Sequence, residues 1–62
     1  MIEIVIERWT GPDGTEYRWS VWREGHRVEF DRHYPDADAA ETAAEDFCVK
    51  ALGQKADRVT RL

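Results

Sequence analysis

Hydrophobic and polar residues alternate strictly at the start of the chain, where Ile2, Ile4 and Ile6 are separated by Glu3, Val5 and Glu7. A period of two with β-branched residues predicts a half-buried strand over residues 2 to 9. The GPDG run at 11–14 follows as a turn: proline fixes φ, and the glycines allow positive φ. Alternation resumes in EYRWSVWR, residues 16 to 23. Tyr17, Trp19 and Val21 share one face there, and Arg18, Ser20 and Trp22 the other. Glu24-Gly25 suits a two-residue hairpin loop. RVEFDRH then predicts a third strand, with Val28 and Phe30 expected on the core side with the isoleucines.

A tight turn at Glu24-Gly25 pairs Arg23 with His26, Trp22 with Arg27, Ser20 with Glu29 and Arg18 with Asp31. If Trp9 opposes Glu16 in the first hairpin, Glu7 falls opposite Arg18. Arg18 is then expected between two carboxylates and Arg27 beside the Trp22 ring, which would leave the open face electrically self-satisfied.

The period changes after Tyr34-Pro35, since the residue before a proline avoids helical geometry. Asp36 or Asp38 can cap a helix running to about Leu52, with Gly53 as its stop. At about 100° per residue, Ala40, Ala43, Ala44, Phe47, Cys48 and Ala51 fall on one arc, which predicts a close-lying helix anchored by Phe47. Residues 57–62 read as a short fourth strand or a frayed tail, the strand being favoured. The expected fold is a single α+β domain over 1–62: a three-stranded antiparallel sheet packed by one helix, βββα, with or without that fourth strand.

Length changes the picture next. A chain of 62 residues buries only about 60% of its unfolded surface, so stability must come from a dense core or from a second subunit such as a homodimer partner. The lone Cys48 excludes an internal disulfide, and no Cys/His spacing suggests a zinc site. No apolar run approaches the roughly 18 residues that span a bilayer, and the acidic start is unlike a secretory leader. Together these point to the cytoplasm and, with a strand starting directly after Met1, to a complete small reading frame; a trimmed domain would look similar.

Charge is distributed unevenly. Residues 1–34 carry −2, residues 35–49 carry −5 and residues 50–62 carry +3, within a total of −4. Acids at a helix start suit the macrodipole, which accounts for Asp36 and Asp38 but not for Glu45 and Asp46. Asp38, Glu41 and Glu45 stack on one helical stripe, where like charges repel. A solvated face is the plain reading. A partner-binding face made of Asp38, Glu41, Glu45 and Asp46 is the reading that gives those acids a purpose. The sheet offers a second candidate surface in Arg18, Trp22 and Arg27.

Catalytic, cofactor and metal chemistry find no footing. His26 and His33 have no partner set, Cys48 lies on the apolar stripe, and there is no glycine-rich phosphate loop. A three-stranded sheet backed by a helix resembles the arm-type DNA-binding domains of phage integrases, and Arg8, Arg18, Trp22, Arg23 and Arg27 are where such a surface would lie. Glu3, Glu7, Glu29 and Asp31, expected on the same face, disfavour direct nucleic-acid binding. The βββα order with Asp13, Gly14, Tyr17, Trp19, Val21, Gly25, Tyr34, Ala40 and Ala44 resembles HicB-like antitoxin domains and small YegP-like modules, which implies a fold and not an activity. Size, acidity and the carboxylate stripe resemble the small phage inhibitors that include anti-CRISPR proteins. That resemblance implies a non-enzymatic inhibitor docking its acidic helix on a basic, nucleic-acid-handling protein.

Overall fold

The structure is a computed structural model describing residues 1–62. Three long strands come first: β1 (Ile2–Gly11), β2 (Gly14–Arg23) and β3 (His26–Tyr34). The helix α1 (Ala37–Phe47) follows, continues into a wider π turn at Cys48–Leu52, and leads to a short strand, β4 (Arg58–Arg61). The sheet order is β3-β2-β1-β4. The first three strands are antiparallel, and β4 lies parallel to β1 with Glu3 opposite Arg58 and Ile6 opposite Arg61. The α+β expectation holds, and the C-terminal segment forms the fourth strand.

Alternation builds the core. Ile2, Ile4, Ile6, Trp19 and Val21 point to the helix side and are buried, joined from above by Ala40, Ala44 and Cys48. Alanines at the contact let the helix axis approach the sheet, and Phe47 packs its ring 5.7 Å from that of Trp19. Asp36 is the N-cap, its Oδ1 accepting from the Ala39 amide at 2.7 Å. Gly53 ends the helical run at φ 73, the left-handed stop expected of it. The π turn alters the helical phase. Hydrogen bonds spanning five residues rotate Leu52 toward the core in place of Ala51, which is exposed, contrary to the regular helical projection.

The hairpins carry both the confirmed and the corrected registers. Trp9 opposes Glu16, Glu7 opposes Arg18, Trp22 opposes Arg27 and Arg23 opposes His26, as the turns dictate. Glu24 and Gly25 both have positive φ (51° and 81°), the signature of a type I′ loop. Beyond Arg27 the third strand departs from expectation. Val21 opposes Glu29 while Trp22 opposes Arg27, so Val28 is an extra residue, a β-bulge. Side chains from Glu29 to Asp31 are thereby switched to the other face, until a second shift restores the phase at Tyr34. Ser20 faces Phe30 instead of Glu29, and Trp19 faces Asp31, the residue assigned to Arg18. Phe30 and Val28 are therefore exposed rather than in the core, and Glu29 and Asp31 lie on the helix side.

Candidate functional site

Two surfaces carry the side chains singled out from the sequence. On the helix side, α1 holds Asp38, Glu41, Glu45 and Asp46, and the β3 bulge adds Glu29 and Asp31 to the same side of the sheet. The repulsion expected along this stripe is relieved by cations from outside the helix's first turns. Parallel pairing of β4 with β1 brings Arg61 across, its guanidinium 2.7 Å from Asp38 and 2.9 Å from Glu41. Bonds to those two carboxylates raise the Arg61 pKa above its ordinary value. Lys50 reaches Asp46 at 3.1 Å, one helical turn on. Glu45 is the one member of the predicted set without an ion-pair partner.

The open face of the sheet is covered by no element. Glu3, Val5, Glu7 and Trp9 of β1 stand beside Arg18, Ser20 and Trp22 of β2, then Arg27 and Phe30 of β3. Trp22 lies over Ser20 and donates its indole N–H to the hydroxyl at 2.9 Å, which buries the serine. Trp9 and Phe30 are each 48% exposed. The charges on this face are arranged differently from the sequence expectation. Arg18 binds neither Glu7 nor Asp31; it bonds to Glu16 at 3.0 Å and stacks 4.2 Å above the Trp9 ring. Arg27 stands opposite Trp22 as expected and lays its guanidinium over the Phe30 ring at 4.7 Å. At the far edge Arg58 and Thr60 both donate to Glu3, whose pKa is lowered chiefly by the Arg58 bond.

One end of this face folds into an open notch of about 610 Å³ between the first hairpin turn and the end of β3. Glu16 sits within it, with Arg18 and Arg32 guanidiniums at 3.0 and 3.3 Å and the His33 ring at 3.4 Å. Burial pushes the Glu16 carboxyl up, but the Arg18 hydrogen bond and the Arg32 and His33 charges outweigh it and hold the pKa below the usual range. Sequence reasoning missed this cluster because Arg32 and His33 converge only through a second bulge opposite Arg18.

No three of the His, Cys, Asp and Glu side chains are grouped as a metal site would require. No helix is long and apolar enough to cross a membrane. Compared with protein-family models, curated proteins and solved structures, the chain matches none.

Proposed function

We propose that this protein is a non-enzymatic protein-binding module that docks through the open face of its sheet. The observation that carries the reading is the set of aromatic and arginine side chains on that face: exposed Trp9, Phe30 and Arg27 with half-buried Trp22 and Arg18. Tryptophan and arginine dominate the energetic centres of protein interfaces because they pair large apolar contact area with directional donors. The molecule's longer extents, 36 × 20 Å, give a face comparable to one side of an ordinary interface, about 800 Å². Charge favours a protein over a nucleic acid. The arginines on this face are offset by Glu3, Glu7 and Glu16, and phosphate backbones demand a strong positive surplus. Arg27 stacks on Phe30 with no carboxylate partner, so the fitting partner surface is apolar at its centre with acids at its margin.

A second reading keeps the acidic helix side as the docking surface, with an inhibitor's action on a basic, nucleic-acid-handling protein. It is favoured by Glu29 and Asp31, which join Asp38, Glu41, Glu45 and Asp46 on that side. Arg61 and Lys50 offset it in part.

Affinity capture from the source cells, with titration of the captured partner, separates the two. The Trp9→Ala/Phe30→Ala variant strips exposed aromatics, and Glu41→Gln/Glu45→Gln strips helix charge. Loss of binding in the first alone supports sheet docking. Loss in the second alone, with strong salt dependence, transfers the function to the acidic side. A partner indifferent to both overturns the proposal.

A further inference from the structure

Consecutive residues of a regular strand point to opposite faces, yet the neighbours Arg32 and His33 both reach the same carboxylate, Glu16. The backbone is bent to achieve this. Tyr17 opposes Tyr34 and Trp19 opposes Asp31, so Arg32 and His33 together face Arg18, with His33 held at φ 75. A left-handed conformation in a residue other than glycine is strained, and such strain gathers where side chains must be aimed. Here it aims an imidazole and a guanidinium into the notch already holding Arg18.

Glu16 does not use up these donors. Both guanidiniums meet it through Nε, so it leaves their terminal nitrogens unengaged. Glu16, with Asp13 at the hairpin tip, balances the two arginines of the lining, and the His33 ring stands beside them. Trp9, 48% exposed, gives the notch an aromatic wall with Arg18 stacked on its ring.

We propose that this notch is a binding site for a phosphate monoester carried on a planar ring, a nucleoside monophosphate or the phosphorylated end of a single strand. The phosphate is held by the terminal nitrogens of Arg18 and Arg32 and by His33, since guanidiniums bind such oxyanions through paired N–H groups. The base lies over the Arg18 guanidinium plane and so extends the stack that Arg18 makes on Trp9, as bases stack on aromatic and guanidinium planes without regard to sequence. The site shares Trp9 and Arg18 with the proposed docking face but takes one terminal phosphate and not a backbone, and its titration uses no partner protein, so each experiment can fail without the other.

The test is a titration of isotope-labelled protein at low ionic strength, following the Trp9 indole N–H and the arginine Nε–H signals by NMR. The probes are adenosine monophosphate, adenosine, inorganic phosphate, and a short oligonucleotide with and without a 5′-phosphate. The monophosphate is expected to shift both sets of signals saturably and to bind more tightly than adenosine or phosphate alone. The oligonucleotide pair then tells a free nucleotide from a strand end. Arg32→Gln should weaken binding about tenfold, the loss of one charged hydrogen-bonding group. His33→Gly should also weaken it while keeping the bulge, because glycine adopts the same φ freely, so it carries the test if Arg32→Gln disturbs the fold. Shifts that do not saturate, an equal response to adenosine alone, or unchanged affinity in both variants would reduce the cluster to a structural clamp on the end of β3.

Discussion

Replacing Trp19 by phenylalanine sets two costs against each other. Trp19 is 5% exposed, and its ring packs at 5.7 Å and a 38° tilt against Phe47, the main apolar anchor of the helix. Its indole N–H is buried with no acceptor. Phenylalanine keeps a ring for Phe47 but removes three heavy atoms, roughly 2–2.5 kcal/mol at about 0.8 kcal/mol per methylene-sized group. It also removes a donor whose burial without a partner costs about 1–3 kcal/mol. The two nearly cancel, so Trp19→Phe should destabilise by about 1 kcal/mol or less, against about 3–5 kcal/mol for a tryptophan truncated to alanine. Urea unfolding reads this directly, because Trp9 and Trp22 remain as fluorescent probes. With a slope of about 1 kcal/mol/M for so small a chain, the midpoint should move by no more than about 1 M. A shift of about 2 M or more, or a variant that does not fold, would mean that the N–H is satisfied in solution and that the orphaned donor carries no cost.

His33→Gly should raise stability by roughly 0.5–1 kcal/mol, measured as a melting temperature a few degrees higher, because glycine adopts φ 75 without strain. Acid should destabilise the fold: Glu3 and Glu16 have lowered pKa values, so their contribution is complete at neutral pH and is lost as pH falls through those depressed values. Thermal melts across that range should show the decline, and Glu3→Gln should flatten it. Cys48 is fully buried, with its thiol pKa raised first by burial and then by the Glu45 charge, so thiol reagents should label it only at the rate of unfolding.

The sequence carried the first hairpin in full, because GPDG and the isoleucine alternation both act over short range and agree on one register. Asp36, Phe47 and Gly53 were legible for the same reason: caps and stripes are local. The third strand was legible only as far as Arg27. Val28 and His33 are ordinary strand residues with no local mark of a bulge, and each extra residue switches the face of everything after it. Phe30 was thus assigned to the core and Glu29 to the open face, both reversed. Arg61 illustrates the longer limit. Its pairing with Asp38 and Glu41 depends on β4 aligning with β1 across 55 residues, Arg58 beside Glu3. No local pattern at either end encodes that alignment. The notch needed both kinds of information, a bulge and a distant hairpin, so it became visible only in three dimensions.

The irregularities of β3 have a consequence for solubility. This strand is the outer edge of the sheet, exposed along nearly its whole length. A flat nine-residue edge would be a template on which other chains could add strand after strand. With bulges on either side, the longest regular run is the three residues Glu29–Asp31, shorter than the six or seven that seed a cross-β stack. Two acids in that run repel a like segment laid across them. The bend that turns Arg32 and His33 toward Glu16 therefore also helps deny an incoming strand a regular template. Deleting Val28 or His33 to straighten the strand would trade a strained, soluble edge for a relaxed, sticky one.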